Sequence, residues 1–79
     1  MRTVMEADHK NVLRFLLARG GTGNVMEALH WGADLFDKGF AIANYMQNCD
    51  WVKLLYSNYN QNLIVVELTL PGKAEGRKV

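Results

Sequence analysis

Three side chains in the stretch "FAIANYMQN", Asn44, Gln47 and Asn48, have the type and spacing to recognise a base edge. A carboxamide donates and accepts side by side, as adenine does in the major groove of duplex DNA. Spacings of three and four residues put such groups on one side of a helix, together with Ala41. The plainer reading is a solvated helix face. A solvated face, however, usually carries Glu and Lys, whereas this one carries uncharged amides. A second polar cluster follows in "SNYNQN", where Asn58, Tyr59, Asn60 and Gln61 combine amides with a phenolic hydroxyl. Such groups bond phosphate oxygens or minor-groove acceptors, or simply make a polar turn. Lys38, Lys53 and Lys73 are the cations best placed to touch phosphates, with Arg77 and Lys78 following on a flexible tail.

Other chemistries find less material. His9, His30 and Cys49 do not match a compact ligand spacing, and a structural zinc takes four ligands, so no metal is expected. Cys49 reads as a small core residue and His9 as a satisfied, partly buried one. The carboxylates are scattered, no nucleophile–base set stands out, and a chain this small leaves little room for a substrate pocket. Neither an enzyme nor a cofactor is expected. "GGTGN" resembles a phosphate loop only superficially. It follows a helical pattern rather than a strand, and no Gly-Lys-Ser/Thr comes after it.

The 79 residues suit one domain, with 49% hydrophobic and 22% charged residues arguing against disorder. A net charge of +1 is low for a tight, non-specific nucleic-acid binder. No apolar run is long enough to span a bilayer. "MRTVMEADHKN" has acids and no apolar core of a signal peptide, so none is expected. The single cysteine cannot form an internal disulfide, and the expected compartment is the cytoplasm.

The elements that must position these side chains follow from periodicity. Met5, His9, Val12, Leu13, Leu16 and Leu17 form one stripe, giving a helix over 5–19 that Gly20 and Gly21 stop. Asn24 with Glu27 resembles a capping box and starts a second helix, over 24–32, closed by Gly32. After a turn in which Asp34 or Asp37 serves as cap, a third helix covers 36–49, with Ile42, Tyr45, Met46 and Cys49 inward. Near Asp50 the period changes to two. "WVKLLY" and "LIVVELTL" read as an antiparallel hairpin over 51–70, with Ile64, Val66, Leu68 and Leu70 facing the core. In the first strand Val52, Leu54 and Tyr56 share a face, against Trp51, Lys53 and Leu55. The domain is expected over 1–72, with 73–79 a flexible tail. Leu13, Leu16, Leu29, Ile42, Met46, Leu54, Val66 and Leu68 are the expected core.

A lone hairpin is marginal in water, so this one must pack on the helices, making one small α+β core with the loop left in solvent. From about Asp8 to Lys73 the chain resembles a winged helix-turn-helix domain of small prokaryotic and viral regulators. "NVMEALHWG" resembles the scaffold helix, "FAIANYMQN" the recognition helix, "CDWVKLLY" the exit into the wing, and "LTLPGK" the stretch that closes it. The turn "ADLFDKG" is longer than such proteins usually have. The recognition-like helix has no Arg or Lys beyond Lys38. The resemblance implies a three-helix fold with a C-terminal hairpin wing, double-stranded DNA as partner, and a homodimer joined through the first helix and the "MRTVME" lead. The alternative is the same fold as a protein-interaction module. In that case surplus apolar residues among Trp31, Phe36, Phe40, Trp51 and Leu55 form an exposed patch.

Overall fold

The computed structural model describes residues 7–79. Met5 and the "MRTVME" lead, assigned above to the first stripe and to a dimer contact, lie outside the described residues. Among the described residues the fold is α+β, with four helices and a three-stranded antiparallel sheet in the order α1 (Ala7–Ala18), β1 (Thr22–Asn24), α2 (Val25–Leu29), α3 (Phe36–Asn48), β2 (Val52–Asn58), β3 (Leu63–Leu68) and α4 (Leu70–Lys78). Short 3-10 turns at Ala33–Leu35 and Tyr59–Gln61 precede α3 and close the β2–β3 loop.

Each helix end has a local cause. Gly20 (φ 77°) and Gly21 (φ 103°) turn the chain out of α1, and the Gly21 N–H donates back to the Leu16 carbonyl at 2.7 Å. The next two exits use left-handed residues that are not glycine. His30 ends α2 well before Gly32, with the Trp31 N–H on the Met26 carbonyl at 3.1 Å. Asp50 ends α3, with the Trp51 N–H on the Met46 carbonyl at 2.9 Å. No side chain caps α3, since Asp34 sits inside the 3-10 turn and Asp37 in the first helical turn. Glu27 does not close a capping box either, because its carboxylate pairs with Arg19 at 2.9 Å.

The sheet holds one strand that periodicity did not reveal. β1 pairs with β3, giving the order β1-β3-β2 and placing β3 in the centre. That position explains why Ile64, Val66 and Leu68 are all buried. In the hairpin the register runs Leu54↔Val66 and then Tyr56↔Val65, leaving Leu55 as an extra residue. This bulge reverses the alternation of β2. Tyr56, expected on one face with Val52 and Leu54, is therefore parted from the buried Val52 and about half exposed, and Leu55 is 48% exposed.

The expected flexible tail is instead α4, so the packed unit continues through 73–79. Thr69 caps this helix: its Oγ1 accepts from the Gly72 N–H at 3.0 Å and donates to the Asp50 carbonyl, with Pro71 in the first turn. The helix docks through glycines. A Cβ at Gly72 would overlap the Trp51 carbonyl, and one at Gly76 would come 2.6 Å from Leu17 Cδ1. A face made of missing side chains has no apolar period to detect. Leu70, expected inward, begins this helix and is 80% exposed.

The core unites Val12, Leu13 and Leu16 of α1, Val25, Met26 and Leu29 of α2, Met46 of α3, and Val52, Ile64, Val66 and Leu68 of the sheet. Ile42 and Leu54, expected inside, are only partly buried. α3 is rotated relative to the expected stripe, so that Phe36, Gly39, Ala43 and Met46 face inward. The cause is Gly39: a Cβ there would overlap Met26 Sδ, so α2 and α3 meet at this glycine. Tyr45 consequently remains partly exposed, while Trp51 and Phe36 are buried.

The sheet is tied to the helices by amides. Asn24 Oδ1 accepts from the Met26 N–H at 3.1 Å, capping α2, and from the Ile64 N–H of β3 at 2.9 Å. Asn24 Nδ2 donates to the Asn62 carbonyl at 3.2 Å, and Asn62 Nδ2 donates to the Trp31 carbonyl at 2.9 Å. Asn24→Ala should destabilise the fold by about 1–3 kcal/mol, since it orphans two backbone donors, whereas Asn24→Asp keeps the acceptor and should cost less. Met46→Ala should cost about 2–5 kcal/mol, and Ile42→Ala clearly less because its side chain is already partly solvated. Urea denaturation midpoints of the four variants check both orderings.

Candidate nucleic-acid interface

With Phe36, Gly39, Ala43 and Met46 inward, the ridge of α3 farthest from the core carries Asp37, Ala41, Asn44 and Asn48, all exposed. Lys38 flanks its first turn and is also exposed. The helix is held in this rotation from both sides. On one side the buried His9 ring of α1 stacks on Tyr45 at 4.9 Å between centroids and meets Trp51 edge-on at 6.3 Å. On the other side the Gln47 side chain reaches the sheet, where Oε1 accepts from the Leu54 N–H at 2.8 Å.

That bond changes the role open to Gln47. Bidentate pairing with adenine needs both the oxygen and the nitrogen of the amide. Here the oxygen covers a backbone donor of β2, which is an edge strand of the sheet. Among the described residues Asn44 and Asn48 have no such partner, and they remain the two exposed amides of the ridge.

The loop cluster divides in the same way. Asn58 Oδ1 accepts from the Gln61 N–H at 3.3 Å, and Asn58 Nδ2 donates to the Tyr56 hydroxyl at 3.0 Å. That hydroxyl lies 3.5 Å from Gln61 Oε1. Asn58 and Gln61 therefore shape the loop, while Asn60 and Tyr59 point outward, Tyr59 being 60% exposed. The Tyr59 ring also meets Phe36, at the start of α3, with centroids 5.2 Å apart and planes at 88°. This contact joins the loop to the N-terminal turn of α3, beside Lys38.

The remaining lysines are not gathered here. Lys53 stands directly across the strands from Glu67. Lys73 lies on α4, with its Cε close to Gly21 at the end of α1. The α3 side thus offers Lys38 in the first turn with Asp34 and Asp37 close in sequence, and Asp50 beyond the other end of the helix. It also exposes apolar surface, with Phe40 stacked 6.4 Å from Phe36 and Leu55 on the bulge. Among the described residues no three His, Cys, Asp or Glu side chains are grouped as a metal ion would require, and no helix is long and apolar enough to cross a membrane.

No protein-family model, no curated protein and no solved structure matches this chain.

Gln47→Ala should lower stability by about 1 kcal/mol, the net value of one hydrogen bond, without touching the outer ridge of α3. Native-state hydrogen exchange should report it as faster exchange at Leu54, with Asn44 and Asn48 unchanged.

Proposed function

We propose that this chain is a small winged-helix DNA-binding protein of the regulator type. The observation that carries the reading is the exposed ridge of Ala41, Asn44 and Asn48 next to a hairpin loop fastened to the same helix through Tyr59 and Phe36. The order α1, α2, α3 and then the β2–β3 hairpin supports it, as does the antiparallel sheet that backs the helices. In this reading α3 lies in the major groove, with Asn44 and Asn48 pairing to adenine and Ala41 small enough to let the helix axis approach, or to touch a thymine methyl. The hairpin loop acts as the wing. Tyr59 and Asn60 contact the flanking backbone, and Lys38 meets a phosphate at the start of the helix.

A second reading is favoured by one specific observation. Phe40 and Tyr59 expose aromatic surface around Phe36 in a setting richer in carboxylates than in cations. A protein-interaction module would use that surface and leave the amides in solvent.

Selection from a randomised duplex pool at low ionic strength separates the two. On a selected site, Asn44→Ala and Asn48→Ala should each weaken binding by about 1–3 kcal/mol while leaving random duplex nearly unaffected. Lys38→Ala should weaken both equally. Retention of no duplex, together with capture of a protein partner that Phe40→Ala abolishes, would transfer the function to the interaction module.

A further inference from the structure

The cations that the α3 side lacks are concentrated elsewhere. α1 and α4 run antiparallel, since Gly76 meets Leu17 and Leu13 while Lys73 reaches Gly21. Along α1, Lys10 and Arg14 are four residues apart and stand three residues before Leu13 and Leu17, the side chains that face α4. Along α4, Lys73 and Arg77 are also four residues apart, each directly following a buried docking glycine, Gly72 or Gly76. Both pairs therefore border the same seam, and within each helix they are about 6 Å apart along the axis.

Competing charges are placed off that seam. Glu75 is engaged with Lys78 at 3.2 Å, and Asp8 lies on the opposite flank of α1, with Phe15. Arg19 is engaged with Glu27 and lies over the Phe15 ring at 4.4 Å. Among the described residues Lys10, Arg14, Lys73 and Arg77 form no ion pair. The glycine contacts hold the two helix backbones close, so the positions of the four cations form a double row, Arg14 also donating to Asn11 Oδ1 at 2.9 Å. The same row argues against this face of α1 as a two-fold contact, because a symmetric pairing there would set the cations of one copy against those of the other.

We infer that the α1/α4 seam is a second, sequence-independent binding surface for the phosphate backbone of duplex DNA. Among the described residues this row of cations has no intervening carboxylate, so it complements a polymer of regularly spaced single negative charges, and Arg adds forked hydrogen bonds to phosphate oxygens. The identity of the polymer rests on the reading above, whereas the charge of the seam does not. The seam supplies the electrostatic attraction that Lys38 alone cannot, and α3 supplies the discrimination.

The test is a salt titration of full-length protein on a labelled random duplex. Arg14→Gln/Arg77→Gln and Arg14→Glu/Arg77→Glu are compared with the wild type and with Lys38→Gln, after thermal unfolding has shown each to be folded. The glutamine pair should flatten the slope of log affinity against log salt by about two units, and the glutamate pair should lower affinity further, whereas Lys38→Gln should remove about one. An unchanged slope in the glutamine pair overturns the proposal. So does wild-type protein that ignores duplex but sediments with phosphatidylserine vesicles, or that poly-glutamate displaces as readily as duplex of equal charge. Asn44→Ala separates this claim from the base-reading one. Lost discrimination with the seam slope intact confirms α3 independently, while a flattened slope in the seam variants with discrimination untouched by Asn44→Ala leaves the seam standing without α3.

Discussion

The fold turns on a single side-chain amide. Asn24 caps α2, donates to the end of the hairpin loop, and supplies an acceptor to the central strand β3. A five-residue helix and a lone hairpin are each too small to persist in water. Joined through Asn24 and Asn62, they become one cooperative unit in which each element's unsatisfied backbone groups are answered by another. Burying such groups without partners would cost more than most single apolar contacts return. An Asp cap would keep the acceptor for Met26 and Ile64 but lose the donor to the Asn62 carbonyl, which is why it would not serve equally well.

From that junction the outward geometry follows. β3 fixes β2, the bulge at Leu55 turns Tyr56 outward, and the Tyr56 hydroxyl helps to hold Asn58 in the loop. Phe36 and Tyr59 then fasten the loop to α3, while Gly39 lets α3 sink onto Met26 and sets its rotation. The ridge of Ala41, Asn44 and Asn48 is exposed because of that rotation rather than by default. Among the described residues charge is partitioned: carboxylates accompany the amides of α3, and cations outside any ion pair border α1 and α4. A near-neutral chain can therefore carry a strongly directional field, which net charge alone does not reveal.

What the sequence disclosed depends on which physical signal each element leaves. α1, α3 and the β2–β3 hairpin were legible because long apolar periods specify them, and their boundaries fell within a few residues of those observed. β1 was hidden because "TGN" is three residues with nothing to bury. α4 was hidden because it docks through Gly72 and Gly76, and the docking residues of a glycine face read as breakers. The cap at Thr69 with Pro71 after it was its only local signature. At the candidate site the amides of α3 were visible as a pattern. That Gln47 serves the backbone of β2, and that Asn58 and Gln61 serve their own loop, depends on distances that spacing does not encode. The shift of the α3 stripe from Ile42 to Ala43 has the same origin, since a small residue at a helix crossing attracts burial that hydrophobicity does not signal.

The central claim is that the outer ridge of α3 meets base edges. The most direct measurement is a nitrogen-15 NMR titration with a selected duplex, following the side-chain amides of Asn44 and Asn48 beside that of Asn24. The account predicts large shifts for Asn44 and Asn48, together with the backbone of Tyr59 and Asn60, at one common midpoint, with Asn24 unmoved inside the fold. Unchanged Asn44 and Asn48 signals in a duplex complex whose shifts fall only on α1 and α4, or on Phe40 and its neighbours, would contradict it.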